Sequence, residues 1–331
     1  LRTNMWFSKR WKTFLISGLA AITLSGFEYL LENPLKEKLF AGKIVNTFGR
    51  SFPRGEECLK NISESTRCYK VHNKASKTLW LLGDSHVRPL YLALEKVANS
   101  NGMNFQLYES NGTPFPPVGH YRKSHKKTDL KSLDNFRVVE KELYKKLKVG
   151  DIILLSMRLP YHFGGTYYEY PAKDFRFIRK DGSFGSQINY FDDWITSVLH
   201  LANIEQKQGA KVIIQTPTPE WEKEKNGQCS STNKQWFNTM QERNCQIKSE
   251  KFIDKKNGLY KHLFKKLNEL SSIHNNIYLL NTYQIVCPGG MCRFSMDGID
   301  IYQSDDHIST ELAKEVMAPE IDKFFKAITN K

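Results

Sequence analysis

Two short segments near opposite ends of the sequence carry side chains suited to acyl transfer. Gly83-Asp84-Ser85 follows an apolar run, and His307 stands beside two aspartates shortly before the last helical pattern of the chain. A serine hydroxyl becomes a nucleophile when a histidine takes its proton, and a carboxylate keeps that histidine in the required tautomer. We therefore predict that Ser85 is a nucleophile and that His307 is its general base.

The residues around Ser85 predict a strand followed by a helix. Thr78–Leu82 is a short apolar run, and Val87–Asn99 is amphipathic with helical spacing. A serine between them lies at the carboxyl edge of a sheet, with its backbone N–H at a helix N-terminus that favours a developing negative charge. The alternative interpretation is an ordinary turn in which Asp84 or Ser85 caps the helix.

The carboxylate partner of His307 has two candidates in the sequence. Asp305 and Asp306 precede the histidine by two positions and one position. We expect Asp305 to orient the imidazole, and a serine–histidine dyad that uses a backbone carbonyl is the second choice. Asp306 is equally well explained as a cap of the helix that begins near Thr310.

The order of an early serine and a late acid and histidine resembles the SGNH, or GDSL-like, hydrolase family. The resemblance is closer to the branch fused to the C-terminus of acyltransferase-3 membrane proteins, which O-acylate cell-surface glycans. It covers about residues 55–331 and is carried by five segments: GDSH (Gly83–His86), ESNGTPFPP (Glu109–Pro117), DIILLSMR (Asp151–Arg158), CPGGMC (Cys287–Cys292) and DDHIS (Asp305–Ser309).

The resemblance implies an oxyanion hole and exposes two departures from the family pattern. The backbone N–H groups of Ser85 and Gly112 are the implied donors. Many members add an asparagine from a Gly-x-Asn-Asp block, which this sequence lacks, and the equivalent strand ends at Arg158. One such donor is typically worth about 2.7–4 kcal/mol of transition-state stabilisation. The family acid lies three residues before the histidine, where this sequence has Ser304.

Two further polar side chains are candidates for the site. Arg158 has two open roles, which are binding of substrate or developing charge and pairing with a nearby carboxylate. His86 directly follows the serine and is a second polar group that reaches the site if it is not simply exposed in the first helical turn.

Alternating apolar and amphipathic segments predict an α/β fold with a parallel central sheet and helices on both faces. With the resemblance, this is the flavodoxin-like, three-layer SGNH-hydrolase fold. The predicted strands are Thr78–Leu82, Phe105–Tyr108, Asp151–Ser156, Lys211–Thr216 and Asn276–Leu280, and helical patterns cover 87–100, 136–148, 191–208, 257–272 and Thr310 to about Ala327.

An apolar segment at Thr13–Leu31 predicts one transmembrane helix before this domain. Basic residues precede it and charges nearly cancel after it, so the positive-inside rule places the domain outside a bacterial cell membrane, in the periplasm or beyond. A signal peptide is the competing interpretation. Residues 1–38 resemble the last helix of an acyltransferase-3 domain, residues 39–57 form a linker, and residues 58–331 form the extracytoplasmic domain of what we expect to be a piece of a longer membrane protein.

Six cysteines support an outside location. All follow the apolar segment, and their spacing suggests the pairs Cys58–Cys68, Cys229–Cys245 and Cys287–Cys292, although six cysteines allow 15 pairings. Zinc is the rival interpretation, but no Cys-x2-Cys or His-x3-His spacing accompanies them. We expect neither a metal nor a cofactor.

Charge and aromatic residues bear on the partner. The formal net charge is +14 and the pI is about 9.3, which alone is compatible with nucleic acid. An outside location removes that partner and favours an anionic glycan or lipid surface. Aromatic residues in the loops 157–190 and 217–250 are either platforms for sugar rings or packing within the loops, and they are Tyr161, Phe163, Tyr167, Tyr168, Tyr170, Trp221 and Trp236.

Three functions remain open at this point. The first is O-acyl transfer, with acetyl the expected group, from a donor supplied through a membrane acyltransferase domain to a cell-surface glycan. The second is an extracytoplasmic carbohydrate esterase that uses the same serine and histidine. The third is a membrane-tethered glycan-binding module without catalysis, for which Ser304 and the missing asparagine are the arguments.

Overall fold

The computed structural model describes residues 66–163, 174–179, 182–207, 209–221, 229, 245–296, 299–304 and 306–329. The apolar segment Thr13–Leu31, the linker and Asp305 lie outside these residues. Within the described part of the chain, none of the helices is both long and apolar enough to cross a bilayer.

A six-stranded mixed sheet in the order β1-β3-β2-β5-β8-β10 forms the centre of the fold. β2 pairs in parallel with β3 and β5, and parallel pairing continues through β8 to β10. β1 is antiparallel to β3 at the edge. The strands are β1 (Thr66–Val71), β2 (Thr78–Gly83), β3 (Asn104–Ser110), β5 (Ile152–Ser156), β8 (Lys211–Gln215) and β10 (Ile277–Leu280).

The five predicted strands are confirmed to within two residues at each end, but the all-parallel sheet is a wrong prediction. Inner strands that are covered by helices on both faces have continuous apolar sequences, and such sequences are easily recognised. The edge strand β1 has the sequence TRCYKV and is only partly buried. Its polar residues hide the strand pattern, so the antiparallel edge was missed.

The helices cover both faces of the sheet and give the expected three layers. Alternate residues of β2 face opposite sides: Leu79 and Leu81 belong to one apolar cluster, whereas Trp80 and Leu82 belong to the other. The helices are α1 (Tyr91–Ser100), α2 (Lys126–Lys146), α3 (Leu159–Phe163), α4 (Gln187–Lys207), α5 (Ser249–Ile273), α6 (Thr282–Val286), α7 (Thr310–Leu312) and α8 (Ala318–Thr329), with a π-helical turn at Ala313–Met317 between the last two.

Three helices begin earlier than the apolar spacing predicts, and one of them is α4, which starts at Gln187, four residues before the predicted start. α2 starts at Lys126 and not at residue 136, because its first turns bury polar side chains, including Asp129 and Asn135, that interrupt the apolar period. α5 starts at Ser249, eight residues before the predicted start.

Short antiparallel pieces lie outside the main sheet. β4 pairs with β6, β6 pairs with β7, β9 pairs with β11, and β12 pairs with β13. Their bounds are β4 (Gly119–Arg122), β6 (Phe175–Ile178), β7 (Phe184–Gly185), β9 (Gln246–Lys248), β11 (Met291–Arg293), β12 (Ser295–Met296) and β13 (Ile299–Asp300).

Two of the three predicted disulfides are confirmed. Cys229 is bonded to Cys245, and Cys287 is bonded to Cys292. Cys68 is also disulfide-bonded, and Cys58, its predicted partner, lies outside the described residues.

Candidate active site

The turn after β2 requires a glycine for steric reasons. A Cβ atom at Gly83 would lie 1.7 Å from the carbonyl oxygen of Ser156 on the neighbouring strand β5. No other residue permits this approach of the two backbones without a shift. The close contact places the following residues, Asp84 and Ser85, at the carboxyl edge of the sheet, where ligands bind in open α/β folds.

Ser85 begins a three-residue 3₁₀ turn, Ser85–Val87, and α1 starts only at Tyr91, two residues after Pro89. The predicted position of the Ser85 N–H at a helix N-terminus is therefore found for this 3₁₀ turn and not for α1, which starts later. The proline explains the delay, because it has no N–H to donate to the helical ladder. The capping interpretation is confirmed for Asp84, whose carboxylate accepts a hydrogen bond from the His86 N–H.

The structure brings Ser85 and His307 together, although they are far apart in the sequence. The distance from Ser85 Oγ to His307 Nε2 is 2.8 Å. A bridge between Tyr302 and Ile308 holds the loop that carries the histidine. Ser309 caps α7 by accepting a hydrogen bond from the Leu312 N–H at 3.0 Å. The histidine thus sits on a loop fixed at both ends.

Asp306 is the carboxylate at the other ring nitrogen. Its Oδ1 lies 2.8 Å from His307 Nδ1, so Nδ1–H donates to the carboxylate and Nε2 accepts the Ser85 hydroxyl proton. The sequence predicts Asp305 for this contact. Asp305 lies outside the described residues, and its own part stays a prediction. Asp306 is not the helix cap that the alternative interpretation proposed, because Ser309 fills that position.

Ser304 occupies the sequence position of the usual family acid and acts as a bridge. Its hydroxyl donates to Asp306 Oδ1 at 2.8 Å and accepts from the His307 N–H at 3.1 Å. The same oxygen lies 3.1 Å from His307 Nδ1. The serine thereby ties the carboxylate and the histidine backbone into one unit.

Arg158 binds the second oxygen of Asp306. Its Nη1 lies 2.7 Å from Asp306 Oδ2, and its Nε donates to Glu220 at 3.1 Å. Of the two open roles for Arg158, the structure shows the pairing with carboxylates. Burial alone would raise the pKa of Asp306, but the hydrogen bond from His307 and the positive charges of Arg158 and His86 hold it well below its ordinary value.

Asp84 is a second buried carboxylate behind the serine. It contacts His86 Nδ1 at 3.1 Å through Oδ1. Its Oδ2 accepts one hydrogen bond from the backbone N–H of Arg158 at 2.9 Å and another from His162 Nε2 at 2.8 Å. Burial alone would raise the pKa of Asp84, yet the charge of His86 and the hydrogen bonds from His162 and His86 lower it well below the ordinary value. Asp84 is therefore ionised in the folded protein.

His86 is buried and is not an exposed residue of a first helical turn. Its ring stacks on that of His307, with centroids 4.5 Å apart and an angle of 22° between the ring planes. Burial works to lower the pKa of His86, but the charge and hydrogen bond of Asp84, together with the charge of Asp306, raise it above the ordinary value. His86 is thus enclosed between two carboxylates and contacts the His307 ring.

Gly112 lies two residues beyond β3, at the same sheet edge as Ser85. Its φ of +68° favours glycine, and a Cβ there would lie 3.6 Å from Arg122 Nη2 and 4.0 Å from the Tyr161 hydroxyl. Arg122 is fixed by hydrogen bonds of 3.0 and 2.7 Å to Asp129. The role of the Gly112 N–H as an oxyanion donor stays a prediction.

The described loop aromatics are buried. Tyr161, Phe163 and Trp221 are each less than 10% exposed and contact other aromatic rings. This agrees with the packing interpretation for these three residues. The other aromatics proposed as sugar platforms, Tyr167, Tyr168, Tyr170 and Trp236, lie outside the described residues.

One group of side chains has the composition of a metal site. Suitable ligand atoms of His86, Asp306 and His307 lie within 4.8 Å of one another. Both nitrogens of His307 are already engaged, one by Ser85 and one by Asp306, and the contacts of His86 are to carboxylates. This arrangement fits transfer of a proton from Ser85, and we assign no metal to it.

Sequence reasoning missed four contributors, namely Asp84 as a buried anion, His162, Glu220 and the bridging role of Ser304. Glu220 follows β8 and Arg158 follows β5, so their position after two neighbouring parallel strands was a usable signal. His162 follows β5 on the short helix α3, where the spacing gave no indication of a contact with Asp84.

Comparisons with known proteins agree with this architecture. Residues 54–322 match the sequence family described as "SGNH domain (fused to AT3 domains)". The comparison with curated protein sequences found no match. A lipase and an acetyltransferase domain are among the solved structures that are similar to this chain at low identity.

A GDSL-like lipase from Bacteroides thetaiotaomicron is 12% identical, covers 76% of this chain and 88% of its own, and has a TM-score of 0.37. The C-terminal catalytic domain of Streptococcus pneumoniae peptidoglycan O-acetyltransferase A is 14% identical, covers 78% of this chain and 96% of its own, and has a TM-score of 0.36. These two similarities are too low to assign a substrate or a reaction.

Proposed function

Because the chain belongs to the family of SGNH domains that are fused to AT3 domains, we propose that it is an O-acyltransferase with a serine nucleophile. The acceptor is a hydroxyl of a cell-surface glycan, and the acyl group is acetyl. The observation that carries the proposal is the continuous series of contacts from Ser85 through His307 to Asp306, with distances of 2.8 Å at both steps.

The reaction follows from this geometry in two steps. His307 Nε2 takes the proton of Ser85 as Oγ attacks the acyl carbonyl of the donor, and the leaving oxygen of the donor then receives that proton. Ser85 is left as an ester. In the second step His307 takes a proton from the glycan hydroxyl, whose oxygen attacks the Ser85 ester and restores the free serine. The products are the acylated glycan and the deacylated donor.

Asp306 stabilises the imidazolium that forms in each step. Its Oδ1 accepts from Nδ1–H, and its Oδ2 is held by Arg158. The carboxylate cannot rotate away without breaking one of these contacts. Such fixed dipoles and charges lower the barrier because they need no reorganisation during the reaction. This completeness favours catalysis over a glycan-binding module without activity.

The outside location and the donor route are part of the same proposal. Two described disulfides are typical of an oxidising compartment, and the family is named for its fusion to AT3 domains. The apolar segment Thr13–Leu31 supplies the membrane anchor in this proposal. The donor is delivered by a membrane acyltransferase domain, and the partner surface is an anionic glycan and not nucleic acid.

The test uses the purified chain in detergent with p-nitrophenyl acetate as donor, with and without a neutral or an anionic oligosaccharide. Mass spectrometry follows free acetate and acetylated sugar. We compare wild type with Ser85→Ala and with Ser272→Ala, a change at an exposed serine of α5. Acetylated sugar that is lost only in Ser85→Ala is the expected result.

The other outcomes are equally informative. Free acetate without acetylated sugar, lost in Ser85→Ala, would replace transfer by the esterase, since water and a sugar hydroxyl compete for the same acyl-enzyme. Absence of any Ser85-dependent product would overturn the enzyme proposal and favour a binding module.

A further inference from the structure

We propose that Asp84 and His86 form a second carboxylate–imidazole pair that positions His307 and sets the pH range in which His307 acts as a base. The inference rests on the proposed acyl transfer at Ser85. His86 is a positioning residue in this proposal, because it contacts His307 and not the reacting atoms.

The first support is the rigidity of the pair. Asp84 Oδ1 accepts from the His86 backbone N–H at 2.9 Å and contacts His86 Nδ1 at 3.1 Å. Its other oxygen, Oδ2, accepts hydrogen bonds from the backbone N–H of Arg158 and from His162 Nε2. Asp84 is 2% exposed and His86 is 6% exposed. The imidazole of His86 is consequently fixed in one orientation by groups from three segments of the chain.

The second support is the alignment of two pairs of the same kind. The His86 and His307 rings are nearly parallel at 4.5 Å, and each ring has its own carboxylate at Nδ1. His86 Nε2 also faces Asp306 Oδ2 at 4.0 Å. The His86 ring therefore limits rotation of His307 out of the plane in which it meets both Ser85 and Asp306.

The third support is the set of charges around His86. Asp84 comes from its own turn, Asp306 and His307 from the loop before α7, Arg158 from the end of β5, and His162 from α3. The two carboxylates attract a proton to His86, whereas Arg158 opposes it. His162 is neutral, since burial lowers its pKa below the ordinary value.

Two stacked imidazoles cannot both carry a proton easily, because like charges at this separation repel strongly in a buried site. Such groups titrate as a coupled pair. A proton held on His86 disfavours a resting proton on His307, so His307 stays available as a base down to a lower pH. Replacing His86 by a neutral residue removes this repulsion. It also leaves the negative charge of Asp84 uncompensated near His307, and both changes favour a proton on His307.

The first experiment compares the pH profile of kcat/KM for p-nitrophenyl acetate in wild type, His86→Gln and the control His200→Gln. His200 is exposed on α4. In His86→Gln we expect the acidic limb to move to higher pH by about one unit, which appears as a roughly tenfold loss on that limb. His200→Gln should leave the limb where it is. A limb that does not move in folded His86→Gln overturns the proposal, even if the plateau rate falls.

The second experiment titrates the histidine rings directly. It depends neither on correct folding of His86→Gln nor on a measurement of turnover. The protein has nine histidines, and ¹³C-labelled histidine allows their rings to be titrated by NMR in wild type, with His307→Asn for assignment. We expect the His86 ring to titrate at a higher pH than an ordinary histidine, and we expect its titration to change when His307 is replaced by asparagine. Two independent titrations overturn the proposal. Loss of ester turnover in wild type would instead count against the proposed function alone, since the ring titrations need no substrate.

Discussion

Arg158 binds Asp306 on the oxygen that faces away from His307. Nη1 of the arginine lies 2.7 Å from Oδ2, while Oδ1 lies 2.8 Å from His307 Nδ1. Each oxygen of the carboxylate therefore has its own partner: Oδ1 orients the His307 ring, and Oδ2 is held in place by Arg158. Asp306 thus occupies the place at His307 Nδ1 that the family pattern gives to an acid three residues before the histidine.

We expect Arg158→Gln to lower kcat for ester turnover at least tenfold while changing KM little. The glutamine removes the charge that holds Asp306 and leaves two buried carboxylates, Asp306 and Glu220, without their shared cation. Breaking a buried ion pair from one side costs roughly 3–5 kcal/mol, and the 18% exposure of the Arg158 side chain places the loss of unfolding free energy at the lower end.

Steady-state kinetics and urea unfolding measure the two effects. Arg137→Gln is the matched control, because the Arg137 side chain is 56% exposed in its ion pair with Asp134. Wild-type kcat in Arg158→Gln would show that Asp306 keeps its place without the arginine.

The identity of the acid is decided by comparing two neighbouring aspartates. In Asp306→Asn, the amide can donate to Nδ1 and so favour the wrong tautomer of His307, for which we expect kcat to fall by about 10⁴-fold. In Asp305→Asn we expect kcat within about threefold of wild type, since the carboxylate at Nδ1 is unchanged. Single-turnover measurements with p-nitrophenyl acetate report the chemical step directly. A large loss in Asp305→Asn with a mild one in Asp306→Asn would reverse the assignment.

Most of the fold, and the selection of Ser85 and His307 as two residues that the structure brings together, could be predicted from the sequence because both depend on local patterns. The buried strands are uninterrupted apolar runs such as Ile152–Ser156, and both Ser85 and His307 stand where such patterns change. β1 was missed because an edge strand with polar residues has no such run.

The choice among carboxylates could not be read in the same way. Which oxygen reaches His307 Nδ1 depends on the bend of the loop, which is set by the bridge from Tyr302 to Ile308 and by the hydrogen bond from the Gln303 N–H to the His307 carbonyl. The same holds for the contact between Arg158 and Asp306, since these two residues come from distant parts of the chain. Spacing along the sequence carries no information on such contacts.

Acid should weaken the fold in part through Asp84. Its pKa lies well below the ordinary value of 3.8, so its interactions with His86 and His162 stabilise the protein above that value and are lost as the pH falls. We expect the free energy of unfolding to decline between about pH 5 and pH 2. Asp84→Asn should be less stable at neutral pH and show a shallower decline.

Urea unfolding across this pH range measures the decline. Asp134→Asn is the control, since the Asp134 side chain is 70% exposed and its removal should leave the slope as in wild type. Equal slopes in wild type and Asp84→Asn would mean that Asp84 carries no depressed pKa in the folded state.

Gly83→Ala should prevent the native turn before the serine. The new Cβ would overlap the Ser156 carbonyl oxygen, which belongs to the backbone of β5 and has no rotamer by which to move aside. Either β2 and β5 separate or the turn that presents Ser85 distorts, so we expect at least about 3 kcal/mol of destabilisation together with loss of turnover.

Gly102→Ala is the matched comparison, because Gly102 has φ +62° but no atom within 4 Å of the new Cβ. It should cost only the roughly 1–2 kcal/mol of a left-handed backbone. Thermal and urea unfolding of both variants test the difference, and equal losses would mean that conformational preference, and not the contact with Ser156, fixes the glycine of the motif.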